Sequence, residues 1–225
     1  MNVGIVVAAG KSERMGVDMD KAFVSLGTKP VLAYSLEAFE QCPDIDGVVV
    51  VARRERLDAV RGLAQMFGCA KMQKVVAGGA RRQDSVQNGL AELNEDVKFV
   101  VIHDAARPCV SPAIIAETLR TAKRYGAAVA AVKVADTIKQ VDRGTTVTRT
   151  VDRAKLWAVQ TPQAFRLDLL QQAYAAVNRK HATVTDEGSA VELISGHVHI
   201  VPSTWTNMKI TTPEDLAIAA AMLKV

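Results

Sequence analysis

The chain has 225 residues, of which 49% are hydrophobic, 23% charged and 4% aromatic, and it carries a net charge of +4. This balance excludes disordered, collagen-like and low-complexity proteins. No apolar run approaches the roughly 20 residues that span a bilayer, and the first residues lack the pattern of a signal peptide. Three cysteines without C-x-x-C spacing argue against a disulfide framework or a structural zinc site. The expected location is therefore the cytoplasm.

The positive charge is spread along the chain. Lys and Arg form no run of five or more, whereas binding to nucleic acid favours a dense basic stripe. A few cations gathered in one cleft suit a small polyanionic ligand better.

Short apolar segments alternate with amphipathic ones through the first 134 residues. The pattern predicts strands at residues 3–8, 47–51, 74–77, 99–102 and 127–134. It predicts helices beginning at Pro30, over 57–67, over 84–93 and from Ser111 to about Tyr125. Such alternation predicts a Rossmann-like α/β fold with a mostly parallel sheet and helices on both faces. Ligands bind such sheets at the carboxyl ends of the strands.

The pattern changes between residues 136 and 153. Polar and apolar residues alternate in two Thr- and Val-rich stretches, with Arg143 and Gly144 between them. This predicts a β-hairpin that projects as an arm. Because an isolated hairpin is marginally stable in water, a second subunit is its natural packing partner.

Further elements are predicted after the arm: helices over 166–178, from Thr185–Glu187 and from Thr212, and a strand over 197–201. Neither an internal repeat nor a linker-like stretch is evident. The sequence therefore predicts one domain, residues 1–225, that carries the arm.

The loop after the first predicted strand offers donors to an anion. Ala8, Ala9 and Gly10 can present successive backbone N–H groups, and Arg14 and Lys21 add cationic side chains. The loop matches neither G-x-G-x-x-G nor the P-loop motif. An ordinary charged surface loop is the alternative interpretation.

The loop after the third predicted strand opens a helix. Gly79 permits close backbone approach, and the following helix start, near Ser85, offers unpaired N–H groups to an anion or a base edge. The alternative is a plain connection in which Asp84 or Ser85 caps the helix.

Asp104 follows the fourth predicted strand, where an acidic residue suits a metal ion or a hydroxyl group. The alternative is an ion pair with Arg107 that orders the loop. Arg153 and Lys209, each considered alone, are ordinary solvated charges. The four histidines form no metal or catalytic pattern, and His103 is predicted to order its loop.

Six segments nevertheless occur together in a distinctive order: AAGKSERMG…DKAF, GGARRQDSV, HDAARP, TVDR…TPQAF, TDEGSAVE and NMKITTPEDL. Over nearly the whole chain they resemble the 2-C-methyl-D-erythritol 4-phosphate cytidylyltransferase family. The resemblance implies a nucleotidyltransferase-type fold. It also implies transfer of CMP from CTP to 2-C-methyl-D-erythritol 4-phosphate, which yields 4-diphosphocytidyl-2-C-methyl-D-erythritol and pyrophosphate in non-mevalonate isoprenoid synthesis. A Mg²⁺ requirement and a homodimer whose arms embrace are implied as well, with no nucleic-acid or membrane partner.

The resemblance also implies residue roles. Four cations would be catalytic: Arg14, Lys21, Arg153 and Lys209. Contacts to CTP would come from Ala8, Ala9, Gly10, Gly79, Ser85 and Asp104. Contacts to the polyol phosphate would come from Asp104, Thr137, Arg153, Thr161 and Lys209, with Thr137 and Arg153 acting in the partner's site. No direct metal ligand is implied, because Mg²⁺ would bind mainly through phosphates, with Asp104 the nearest acidic candidate.

Three positions depart from the family's usual residues. Ser12 replaces a glycine, Asp20 stands where many relatives carry proline, and Ala80 replaces an acidic residue. The carboxylate of Asp20 is expected to lower the positive potential around Lys21. None of the three removes a charge-stabilising residue.

Three other functions remain as alternatives. A ribitol 5-phosphate or other polyol-phosphate cytidylyltransferase would share the CTP loop and differ at the arm and around Asp104. A non-catalytic nucleotide-binding protein is a different class, against which Arg14, Lys21 and Lys209 together argue. A dinucleotide oxidoreductase is disfavoured because G-x-G-x-x-G is missing.

Overall fold

The computed structural model describes residues 1–10 and 20–225. In this part of the chain, seven strands form one sheet in the order β11-β7-β10-β6-β1-β4-β5. These strands are β1 (Asn2–Val7), β4 (Gly47–Ala52), β5 (Met72–Ala77), β6 (Phe99–Asp104), β7 (Ala127–Lys133), β10 (Trp157–Arg166) and β11 (His199–Pro202). A small separate pair consists of β2 (Ser25–Leu26) and β3 (Lys29–Pro30).

The helices connect these strands largely where the sequence predicts them. They are α1 (Val31–Glu40), α2 (Leu57–Met66), α3 (Arg82–Leu90), α4 (Pro112–Tyr125), α5 (Leu167–Arg179), α6 (Glu187–Glu192) and α7 (Pro213–Leu223). A 3₁₀ turn, Arg54–Arg56, precedes α2. The predicted cap of α4 is confirmed, since Ser111 Oγ accepts from the Ile114 N–H at 3.4 Å.

Helices cover both faces of the sheet, as predicted. Alternate residues of β4 belong to different core clusters: Val48 and Val50 pack with α1, α2 and α4, and Val49 and Val51 with α3, α5 and α6. All six residues of β4 are buried, as expected for a strand covered on both faces. The mostly parallel Rossmann-like sheet is therefore confirmed.

Strand β10, the longest among the described residues, is not predicted from the sequence. It lies between β6 and β7 and runs antiparallel to both. Polar residues and Pro162 interrupt its apolar pattern, and its pairing with β7 shifts register between Val159 and Gln163. Gln160, Thr161 and Gln163 are nonetheless buried, because their side chains bond inside the protein.

The predicted hairpin is present. Strands β8 (Ile138–Val141) and β9 (Val147–Val151) pair antiparallel as a sheet of their own. Gly144 adopts a positive φ of 59° in the connecting turn, a conformation that glycine accepts without strain. Most side chains from Asp136 to Lys155 are exposed, and the hairpin is separate from the seven-stranded sheet. Its role as a projecting arm remains a prediction. Within the described residues, none of the helices combines the length and apolarity that crossing a bilayer requires.

Candidate active site

A cavity of about 510 Å³ opens at the carboxyl ends of β1, β5 and β6, within the range of about 300–1,000 Å³ typical of ligand sites. The structure thus brings together the three loops that the sequence singled out. The predicted site residues that line the cavity are Ala8, Ala9, Gly10, Lys21, Gly79, Ser85, Asp104 and Lys209.

Close backbone packing shapes one wall of this cavity. A Cβ on Gly78 would lie 2.3 Å from Cβ of Ala9, so glycine lets the loop after β5 lie against the loop after β1. The Gly79 N–H donates to Ser85 Oγ at 3.1 Å. Asp84 accepts from the Arg81 N–H at 3.0 Å, which confirms Asp84 as a capping side chain while the loop still lines the cavity.

Asp104 lies between two cations. Arg82 Nε is 3.0 Å from its Oδ1 and Lys209 Nζ is 2.5 Å from its Oδ2. Burial opposes ionisation of this carboxyl, but Arg82 and Lys209 outweigh burial and hold the pKa of Asp104 well below its usual range. The Asp104–Arg107 ion pair, the alternative interpretation, is not what the structure shows: Arg107 Nη1 donates to the Asn207 carbonyl at 2.8 Å.

Arg82 is a further cation at this wall that its sequence pattern alone does not mark, although it lies in the segment GGARRQDSV. Its guanidinium donates to both carboxylate oxygens of Glu187, at 2.8 and 3.0 Å. Glu187 is fully buried and also accepts from the Tyr174 hydroxyl at 3.0 Å. Burial works against the charge of Arg82, yet Glu187 and Asp104 raise its pKa, so Arg82 is a fixed cation at the cavity wall.

His103 and Thr161 support Asp104 from behind. His103 Nε2 faces the Arg107 carbonyl at 3.2 Å, so it must carry the proton, and Nδ1 then accepts from the Thr161 hydroxyl at 3.0 Å. Thr161 Oγ1 also accepts from the Asp104 N–H at 3.0 Å. Complete burial lowers the pKa of His103 to about 3, which keeps the ring neutral. This agrees with the predicted loop-ordering role of His103.

A second cavity of about 430 Å³ adjoins the first. Arg82, Asp104 and Lys209 line both cavities. Thr161 and Arg107 line only the second. The predicted second-substrate residue Thr161 therefore lies where another ligand can approach the same charged cluster.

Two of the predicted residues that the structure describes, Thr137 and Arg153, are not among the residues lining either cavity. Arg14 lies outside the described residues. Thr137 and Arg153 belong to the exposed arm, and Arg153 Nη1 donates to the nearby Ala135 carbonyl. Their predicted role in a partner's site remains a prediction.

The acidic groups at the cavity do not form a protein cage for Mg²⁺. Among residues 1–10 and 20–225, no group of three or more His, Cys, Asp or Glu side chains is arranged to hold a metal ion. Both carboxylate oxygens of Asp104, the predicted nearest candidate, already contact cations.

Comparison with known proteins identifies the family. The sequence matches the family described as IspD: 2-C-methyl-D-erythritol 4-phosphate cytidylyltransferase over residues 2–225. The chain belongs to this family. It is therefore a nucleotidyltransferase that transfers CMP from CTP to 2-C-methyl-D-erythritol 4-phosphate.

Individual 2-C-methyl-D-erythritol 4-phosphate cytidylyltransferases support the assignment. The protein of that name from Dehalococcoides mccartyi is 44% identical over 98% of this chain and 95% of its own. The one from Alkaliphilus oremlandii is 39% identical over 98% and 94%. The crystal structure of the Thermus thermophilus cytidylyltransferase has a TM-score of 0.83 and 33% identity, with both chains fully covered.

Proposed function

We propose that the larger cavity binds CTP and the adjoining cavity binds 2-C-methyl-D-erythritol 4-phosphate. The observation that carries the proposal is the cluster Arg82–Asp104–Lys209, which lines both cavities. A group held there can face one substrate on each side, as transfer between two bound molecules requires.

The reaction joins two polyanions. A phosphate oxygen of the polyol phosphate attacks the α-phosphorus of CTP, a new P–O bond forms, and the bond to the β-phosphate breaks to release pyrophosphate. Because a phosphate monoester is already anionic near neutral pH, the nucleophile needs no general base. Catalysis then depends on positioning and on charge stabilisation.

Cations around the cavity supply that stabilisation in this proposal. Lys21 lines the same cavity as Ala8, Ala9 and Gly10, and Lys209 lines it beside Asp104. We assign Lys21, Lys209 and Arg14 to the α-phosphate. Arg82, anchored by the buried Glu187, is a further cation at the same wall. Gly79 and Ser85 face the base, and Asp104 faces the ribose and polyol hydroxyls.

Mg²⁺ is proposed to arrive with the nucleotide. The paired state of Asp104 supports this, since its oxygens are already occupied by Arg82 and Lys209. The triphosphate would supply the metal's oxygen ligands. We expect isothermal titration of the CTP-free protein with MgCl₂ to show no specific binding.

A homodimer is proposed to complete the polyol-phosphate site through the arm. Val141 and Val147 on the arm are 41% and 51% exposed. An isolated hairpin is marginally stable in water, so burying these apolar side chains against another surface would stabilise it. Packing on a second copy would bury them and carry Thr137 and Arg153 to the partner's site.

Cys42, Cys69 and Cys109 are free thiols, which supports the proposal of a reducing, cytoplasmic location.

A pyrophosphate-release assay tests this function. CTP, UTP and ATP would each be combined with 2-C-methyl-D-erythritol 4-phosphate and with ribitol 5-phosphate. We expect the highest kcat/KM for CTP with the methylerythritol phosphate. A preference for ribitol 5-phosphate would overturn the assignment of the second cavity, and absence of turnover with every pair would favour a non-catalytic nucleotide-binding protein.

A further inference from the structure

One arginine contacts both residues that flank residues 11–19. Arg53 Nη2 donates to the Gly10 carbonyl at 3.2 Å, and Arg53 Nε lies 4.0 Å from Asp20 Oδ2. Arg53 follows directly after β4, whose residues are all buried. Its backbone is therefore held by the core, while its side chain reaches the edge of the CTP cavity.

The carboxylate of Asp20 sits inside the protein, with only 2% of the side chain exposed. Burial raises its pKa, and the charges of Arg53 and Arg56 oppose that rise. Arg56 Nε lies 3.7 Å from Asp20 Oδ2, and its guanidinium stacks over the Phe23 ring at 5.2 Å. The two arginines offset the negative charge that the sequence led us to expect beside Lys21.

Asp20 also shapes the backbone around Lys21. Its Oδ1 accepts from the Ala22 N–H at 3.3 Å, and its carbonyl accepts from the Phe23 N–H at 2.9 Å. These bonds close a turn that contains Lys21. A side chain that fixes the Asp20 carboxylate therefore fixes the start of the Lys21 side chain as well.

We propose that Arg53 is a positioning residue for the transfer reaction. Through the Gly10 carbonyl it positions the backbone at Gly10, and through Asp20 it positions Lys21, both relative to the rigid end of β4. Arg53 touches neither substrate in this proposal. The inference rests on the proposed roles of Gly10 and Lys21 in binding CTP and stabilising its α-phosphate.

The first experiment compares Arg53→Ala with Arg54→Ala. Arg54 lies next to Arg53 on the same turn and is exposed, so it is a matched control. For Arg53→Ala we expect kcat/KM for CTP to fall about tenfold, the scale of one lost charge-assisted contact. The KM for CTP should rise while the KM for the polyol phosphate stays unchanged, and Arg54→Ala should match wild type.

This KM pattern separates positioning from lost stability. A variant that only unfolds more easily lowers the concentration of active enzyme and leaves both KM values unchanged. That result, or wild-type kinetics in Arg53→Ala, would overturn the proposal. Arg53→Lys keeps a positive charge near Asp20 but lacks the guanidinium fork that lets Arg53 bond the Gly10 carbonyl and lie near Asp20 at once, so it should recover part of the loss. Should Arg53→Ala fail to fold by circular dichroism, Arg53→Gln takes its place in the same comparison.

A double-mutant cycle with Asp20→Asn tests the route to Lys21. If Arg53 acts partly through Asp20, the logarithms of the two single fold-losses in kcat/KM should add to more than the logarithm of the fold-loss in the double variant. Strict additivity would contradict that route. Lys21→Ala separates this inference from the proposed function: wild-type kcat in Lys21→Ala defeats the role of Lys21 itself. An impaired Lys21→Ala beside an unaffected Arg53→Ala defeats only the positioning role.

Discussion

Polar side chains in the larger cavity are held by buried partners, whereas those of the arm bond mainly with one another at the surface. Asp104 contacts Arg82 and Lys209, and Arg82 in turn contacts the fully buried Glu187. On the arm, the exposed Lys139 donates to Thr150 at 2.7 Å. The cavity is thus arranged within one chain, while under the proposed function the arm residues serve the reaction only after the arm packs on a second subunit.

Replacing Lys21 is expected to have the largest effect, because it removes a cation from the cavity. We expect Lys21→Ala to lower kcat by about 10²–10³-fold, as for loss of a group that stabilises transition-state charge, with folding intact. Steady-state pyrophosphate release measures kcat. Lys139→Ala, which removes an exposed lysine of the arm, should stay within about twofold of wild type. Near wild-type turnover of Lys21→Ala would refute its assigned role.

Neutralising Glu187 tests whether buried partners hold the cavity wall. Glu187→Gln leaves Arg82 without its strongest anion and should lower the free energy of unfolding by about 2–3 kcal/mol, since a partly desolvated charge loses its partner. Urea denaturation gives the value. Glu192→Gln, an exposed position of the same helix, should change it by less than about 0.5 kcal/mol. Equal effects of the two substitutions would show that the Arg82–Glu187 pair contributes little.

The buried His103 makes the free energy of unfolding depend on pH in the acidic range. Its pKa is about 3 in the folded protein and about 6.5 when unfolded. Between these values the unfolded chain binds the extra proton, so stability falls as the pH falls. From pH 6 to pH 5 this residue should remove about 1 kcal/mol of the free energy of unfolding.

Urea denaturation at both pH values measures that difference. His103→Gln should reduce the dependence by about that amount, and the exposed His197→Gln should leave it unchanged. An identical pH dependence in His103→Gln and wild type would exclude His103 as its source.

Mixing two inactive variants tests the arm. If Arg153 acts in the partner's site, a heterodimer of Arg153→Ala and Lys21→Ala chains has one intact site of two. Half of the dimers are heterodimers after equal mixing and full exchange, so about a quarter of wild-type turnover should return. The separate variants in the same assay are the controls. Lack of recovery in proven heterodimers would place Arg153 in its own chain's site or outside the reaction.

Elements set by neighbouring residues were predictable from the sequence. The Val-rich strand β4 and the Ser111–Pro112 start of α4 lie where local patterns indicate. The loops after β1, β5 and β6 also meet at one cavity as predicted, because parallel strands end at the same edge of a sheet. The six segments carried the family assignment.

Contacts between distant residues were not predictable. Arg82 and Glu187 are 105 positions apart, and Arg53 reaches Gly10 across 43 positions. Strand β10 escaped notice because its buried polar residues break the apolar pattern that marks a strand. Local propensity and hydrophobic periodicity act over a few residues, so the sequence alone determined most of the helices and strands and the loops that line the cavity. The tertiary structure alone decided which charges pair inside the protein. Such pairing depends on burial and on side chains that only the folded chain brings together.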